Sequence, residues 1–377
     1  MRLLTSFLFV LLFCSALLAQ PISGPPSGDN QKARVTQWIG PAEVTINYSS
    51  PDVHGPNGED RKGKIWGTAV AHYGYIDQGF GPAKQAPWRA GANENTTITI
   101  SHDLKVEGKD LKAGKYGLFL AIQKDGPWTW IFSKNNTSWG SYFYNQSEDA
   151  LRVEVSPAEG PYTEYLTYGF DERKPGSALA YLQWENKRVS LKLEVPNVTE
   201  IYLAQIRNEL RTAPGFDYRN FSNAAQFCAQ NKVNLDEGLV WADAAMDPNI
   251  GGVEDFFTLQ TKSMVLQAMG KKTESNIVMD KAIKLPTANV AAIHQYGRSL
   301  LAAGEKEKAM EVFQFNAKTH PEEKFTPNVG LARAYTAKGD KKNAIKYWEL
   351  AIRNLPENQM NNKGLYEGEL NKLKEAK

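Results

Sequence analysis

A chain of 377 residues has room for two ordinary domains, and 42% hydrophobic with 23% charged residues argues for packed cores over disorder. Its 44 basic and 42 acidic residues leave a formal net charge of +2, which gives no basis for nucleic-acid binding or polyanion steering. With two cysteines, Cys14 and Cys228, a disulfide-stapled scaffold is excluded.

Residues 1–19 predict a secretory signal peptide. One charge, Arg2, precedes the apolar run Leu3 to Leu18, and Ala19 offers a small residue for cleavage before Gln20. The run is short for a bilayer and Pro21 opens a polar stretch, so no span is expected after cleavage. Phe13 before Cys14 is too bulky for a lipoprotein signal. The expected destination is therefore the periplasm or the outer envelope, reached with Cys228 as the remaining thiol; its surroundings, Asn223-Ala-Ala-Gln-Phe-Cys-Ala, read as a buried helix position.

Residues 20–33, rich in Pro, Gly and Ser, predict a flexible arm. From 34 to 196 the period is two. Val44, Ile46 and Tyr48 alternate with Thr45 and Asn47, and Ile98 and Ile100 with Thr97, Thr99 and Ser101. Lys115 to Ile122 and Trp128 to Phe132 flank the turn signal Lys124-Asp125-Gly126. Leu151, Val153 and Val155 alternate with Arg152 and Glu154, and the runs Ala178 to Trp184 and Val189 to Val195 flank Glu185 to Arg188. Apolar and polar faces in strict alternation predict an antiparallel sandwich, jelly-roll-like, with one wet side per sheet.

After Pro196 the period becomes helical, and residues 197–377 predict an all-α domain. Gly270, Gly304 and Gly339 recur at 34 to 35 residues, as do Pro286, Pro321 and Pro356. Small residues Ser275, Ala309 and Ala344, and bulky ones Met279, Phe313 and Trp348, recur between them. Glycine permits the tight reversal, the small residue lets two helices approach, the bulky one fills the gap and proline ends the unit. That period of helix-turn-helix resembles TPR repeats, most closely at His294 to Pro321 and Asn328 to Pro356, less so at Phe256 to Pro286. Asn234 to Pro248 resembles a degenerate first unit. The resemblance implies a groove that docks a protein or peptide partner.

Function-capable residues gather in the loops of the β-rich half. Trp88-Arg89-Ala90-Gly91-Ala92-Asn93-Glu94 offers a stacking face, a guanidinium fork, an amide and a carboxylate; the competing reading has Arg89 pair with Glu94 to pin the loop, with Trp88 as core. Asp52 and His54 lie in a Pro/Gly loop, and Trp139 and Tyr142 in a loose Asn/Ser/Gly segment suited to a sugar ring. His54, His72 and His102 lack the His-x-His spacing of jelly-roll metal sites, so no metal is assigned and no cofactor is named. No Gly-x-Ser-x-Gly, phosphate loop or dinucleotide fingerprint occurs.

These strings, with Tyr48-Ser-Ser-Pro and Ala113-Gly-Lys-Tyr-Gly-Leu-Phe, resemble a family of exported bacterial proteins defined by a domain of unknown function, whose members often carry a TPR-like tail. Tyr75 to Ala86 departs from that pattern as an insertion. The resemblance implies architecture and export, and no activity. Two functions follow as expectations. One is an exported binding or scaffold protein whose β-domain holds a glycan or small molecule through Asp52, His54, Trp88, Arg89, Asn93, Glu94, Trp139 and Tyr142. The alternative is a hydrolase or other enzyme acting on envelope glycan or peptide, with its site around Arg89, Glu94 and His54.

Overall fold

The computed structural model describes residues 30–55 and 58–375. The expected signal peptide and most of the expected arm lie outside these residues. The described chain divides into two units between Tyr202 and Leu203.

In the first unit the strands are β1 (Gln31–Ile39), β2 (Ala42–Ser50), β3 (Thr97–Ile100), β4 (Leu104–Val106), β5 (Lys109–Leu111), β6 (Gly114–Ala121), β7 (Trp128–Ser133), β8 (Asp149–Val155), β9 (Ala158–Lys174) and β10 (Ser177–Glu194). They form two antiparallel sheets, ordered β1-β2-β3-β6-β7-β8 and β5-β4-β10-β9. The larger sheet is a meander from which the β4–β5 hairpin departs to the smaller one. Strand β1 starts inside the expected arm, a correction to its boundary: Gln31 to Ala33 pair with Ser50 to Tyr48, so their backbone groups have ladder partners.

Alternation places Val44, Ile46, Ile98, Leu118, Leu120, Trp130 and Phe132 inward from the larger sheet. They share one buried core with Leu166, Tyr168, Leu182, Trp184, Val189, Leu191 and Leu193 of the smaller sheet. The opposite face of β6 and β7 is also covered. Phe119, Ala121 and Ile131 pack there with Ala83, Ala86 and Tyr144, so the Tyr75–Ala86 insertion is in part a lid on the outer face.

The helices are α1 (Val198–Glu209), α2 (Tyr218–Asn231), α3 (Leu235–Ala244), α4 (Phe256–Ala268), α5 (Lys272–Ala282), α6 (Val290–Ala302), α7 (Lys306–Thr319), α8 (Thr326–Lys338), α9 (Lys341–Arg353) and α10 (Lys363–Glu375). Pairs α4–α5, α6–α7 and α8–α9 are successive packed hairpins, and the array is TPR-like. Gly270, Gly304 and Gly339 each stand at φ 79°, the left-handed conformation that reverses the chain after a helix at little cost for glycine. The recurrent bulky residues Met279, Phe313 and Trp348 are buried, as are Ser275, Ala309 and Ala344. Two departures from the repeat pattern are satisfied polar groups. The Ser275 hydroxyl meets Ser263, and Asn316 donates to the Val290 carbonyl at 2.9 Å. Cys228 is buried on α2 beside Gly238.

Candidate functional site

The outer face of β1, β2, β3 and the start of β6, around Lys115 and Gly117, lies apart from the cluster that covers Phe119 and Ala121 and is polar. Register aligns Arg34 with Asn47, Asn47 with Thr97, and Thr97 with Gly117, so one row crosses four strands. Lys32 lies opposite Ser49, and Thr99 opposite Lys115. Arg34 Nε donates to Asn47 Oδ1 at 2.6 Å, across the row.

Two loops raise walls over this floor. After β7 the chain folds back across β6, where Gly117 leaves room for the Asn135 carbonyl. Asn136 donates to the Lys115 carbonyl at 3.0 Å, and Ser138 to Asn135 Oδ1 at 2.8 Å. The other wall is Glu94-Asn95. Asn95 N–H donates to the Ser138 carbonyl at 3.1 Å, and Glu94 pairs with Trp139 as an isolated bridge. The result is a groove of about 380 Å³, lined by Lys32, Arg34, Asn47, Ser49, Glu94, Asn95, Thr97, Lys115, Asn136, Thr137 and Ser138.

Its chemistry is mixed donor and acceptor. Lys32 Nζ lies 2.7 Å from Glu94 Oε1, and this partner holds the carboxyl below the usual carboxylate range. Ser49 donates to the other Glu94 oxygen at 3.3 Å. Asn95 is 8% exposed and its Oδ1 has no hydrogen-bond partner, an acceptor buried in the groove wall and unused by the protein. Trp139, bridged to Glu94 through the backbone, is 48% exposed and is not among the groove's lining residues.

The candidate residues read from sequence divide into two places. Arg89, Asn93, Glu94, Trp139 and Tyr142 form one cluster, of which Glu94 lines the groove. Arg89 Nη1 donates to the Asn93 carbonyl at 2.8 Å, its guanidinium packs against Gly140, and its Cζ sits 5.6 Å from the centre of the Tyr142 ring. Asn93 Oδ1 accepts from Asn30 at 3.4 Å. The anticipated Arg89–Glu94 ion pair does not form: Glu94 pairs with Lys32 instead. Trp88 needs correction as a ligand-stacking residue. It is 3% exposed, lies parallel to Trp184 at 6.2 Å and edge-on to Trp66 at 5.8 Å, so its faces belong to the core.

Asp52 and His54 stand elsewhere. The Asp52 and His54 carbonyls accept from Arg61, and His54 Nδ1 lies 2.6 Å from Glu164 Oε1 of β9. That carboxylate raises the His54 pKa, and neither Arg89 nor Glu94 bonds to His54. The Ser50–Gly55 segment is thus tied to Arg61 through backbone carbonyls, and the Arg61–Trp66 and Trp88–Glu94 segments meet where Trp66 packs edge-on to Trp88. Among the described residues no group of three or more His, Cys, Asp and Glu is placed to hold a metal ion.

Sequence reasoning missed Lys32, Arg34, Asn47, Asn95, Thr97 and Lys115. The available signal was the wet-face composition: threonine, serine and asparagine on β2 and β3, where lysine and glutamate commonly sit.

Comparison with known proteins places the β-rich half. Residues 30–193 match a family model, DUF2911, described as a protein of unknown function. The match begins one residue before β1 and ends one residue short of the end of β10. Among solved structures, the chain is similar to the crystal structure of YrrB, a TPR protein with an unusual peptide-binding site, at 17% identity. That likeness covers 46% of this chain and 85% of YrrB with a TM-score of 0.31, too low to carry an argument; the TPR-like description rests on the hairpins and their period. None of the curated proteins matches the chain. Among the described residues, no helix is long and apolar enough to cross a membrane.

Proposed function

We propose that this is an exported protein that works by binding, with the DUF2911 domain holding a hydroxyl-rich, acidic glycan and the helical array docking a protein partner. The observation that carries the reading is the groove over β1, β2, β3 and β6. Its floor and walls present amide, hydroxyl, ammonium, guanidinium and carboxylate groups. Hydroxyl groups of a sugar both donate and accept, as this lining does. Lys115, which has no ion-pair partner among the described residues, and Arg34 supply charge for a carboxylate. Export is supported by the Arg2, Leu3–Leu18, Ala19 pattern.

The hydrolase alternative needed His54 beside Arg89 and Glu94, and it has lost that support, since His54 bonds Glu164. The test is a panel of acidic and neutral oligosaccharides titrated calorimetrically into the full chain, wild type, Asn47→Ala and Lys115→Ala. Both substitutions are at the sheet surface and should leave melting unchanged. An acidic oligosaccharide should bind about tenfold more weakly to each. Binding that survives both substitutions unaltered would remove the groove from the function.

A further inference from the structure

Successive hairpins of the helical unit do not stack evenly. Helices α6 and α7 both pack closely against α8, whereas α4 and α5 scarcely approach α6. The space left there is a cleft of about 210 Å³ lined by one side of each of the three helices. Gln260, Met264 and Gln267 recur at four and three residues along α4, so they share a face of that helix. Met279 of α5 and Leu300 of α6, both buried, add apolar lining, and the exposed Gln295 of α6 adds a third amide.

The charged groups of the cleft satisfy each other. Lys272 Nζ lies 3.1 Å from Glu305 Oε1, and Asn276 donates to Glu305 Oε2 at 3.2 Å. Tyr296 donates in turn to Asn276 Oδ1 at 3.5 Å. The side-chain amides of Gln260, Gln267 and Gln295, by contrast, have no hydrogen-bond partner among the described residues. An occupant therefore meets an apolar interior and neutral groups that both donate and accept. A charged side chain entering would lose water without gaining a counter-ion, whereas a long apolar one would exchange water for Met264, Met279 and Leu300. The amides are spaced for a peptide main chain. Gln260 and Gln267 lie two helical turns apart, about 10 Å at a rise of about 1.5 Å per residue. An extended chain covers that in about three residues at ~3.3 Å each, and its alternation turns a side chain between them towards the helices.

We propose that the cleft between the α4–α5 and α6–α7 hairpins takes a long apolar side chain, of methionine or leucine type, from an extended, uncharged segment of a protein partner, whose main chain is held by Gln260, Gln267 and Gln295. This deepens the reading of the helical array as the docking element, rests on it, and is independent of the β-domain groove.

The test uses the full chain labelled at its methionine methyl groups and followed by NMR. It is titrated with uncharged peptides of serine, threonine and asparagine that carry one central methionine, alanine, glutamate or lysine. The methionine peptide should shift Met264 and Met279 at a concentration at least about tenfold lower than the other three, at low and high salt alike. Gln267→Ala and Gln295→Ala, at exposed positions, should each weaken it about fivefold with unchanged melting. Ser299→Trp, also exposed and lining the cleft, should fill it and abolish the shifts; if its melting falls, the two glutamine variants carry the test. Gln359→Ala, exposed after α9, should change nothing. Shifts at other methionines with none at Met264 and Met279 would overturn the cleft and leave peptide docking standing; no shift with any peptide would sink both. Equal titration by the four peptides, a preference for glutamate or lysine, or full binding in both glutamine variants would also overturn the site.

Discussion

Replacing Trp88 by alanine should damage the β-domain far more than replacing its neighbour Arg89. A buried tryptophan brings roughly 150–250 Å² into contact, and about 25 cal/mol per Å² gives about 4–6 kcal/mol. Partial collapse around the vacated space brings the expected loss to about 3–5 kcal/mol. The backbone should hold its place, since the Trp88 N–H and C=O both pair with Leu120, at 3.2 and 2.9 Å. Arg89→Ala removes a hydrogen bond to the Asn93 carbonyl and the contact with Tyr142, worth about 1 kcal/mol. Urea unfolding followed by near-ultraviolet circular dichroism reports on this region directly, because the contacts among Trp66, Trp88 and Trp184 generate signal there. The transition of Trp88→Ala should move to markedly lower urea at unchanged slope. A midpoint matching wild type, or a shift smaller than that of Arg89→Ala, would refute the placement of Trp88 in the core.

Gly297→Ala should destabilise the helical unit by about 1 kcal/mol: a new Cβ would lie 2.5 Å from the buried Phe313 ring, and overpacking of about 1–3 kcal/mol outweighs a helix-propensity gain of about 1 kcal/mol. Thermal melts decide it, and a rise in melting temperature would contradict the packing. His54 should titrate above its ordinary value near 6.5 by NMR, because Glu164 favours the charged ring, and Glu164→Gln should bring it back down. Its contribution to stability is therefore full below the unfolded pKa and lost as pH rises through the folded one. His294 has the opposite sign. Burial lowers it to about 4, so its contribution is present at pH 7 and lost as pH falls from about 6.5 through 4; His294→Gln should flatten the acid limb of a stability profile. An unchanged limb would count against its burial beside Arg333.

What was legible in the sequence tracks burial. The strands with strict alternation, such as Val189 to Val195, have one face in the core, and the periodic Gly, Ala and Trp positions of the helices follow packing. Strands β1, β5 and β9 are sheet edges, and edges bury little. Along β9, Gly160 and Pro161 interrupt the pattern and Tyr162 and Tyr165 face solvent, so no alternation marked it. Of the candidate site, Glu94 and Trp139 were visible as loop residues. Asn47, Thr97 and Lys115 were not, because they become neighbours only through the register of β2, β3 and β6. Trp88 misled for a related reason: an aromatic beside an arginine reads alike whether its face meets a sugar or Trp184.

The claim that the protein binds its ligand in the β-domain groove is tested most directly by NMR chemical-shift mapping on the full chain. An acidic oligosaccharide would be titrated into isotope-labelled protein and the side-chain amides followed. The account predicts shifts at Asn47, Asn95 and Asn136, with backbone shifts at Thr97 and Ser138. Shifts confined to His54, Glu164 and their neighbours, or to the helical unit, would contradict it.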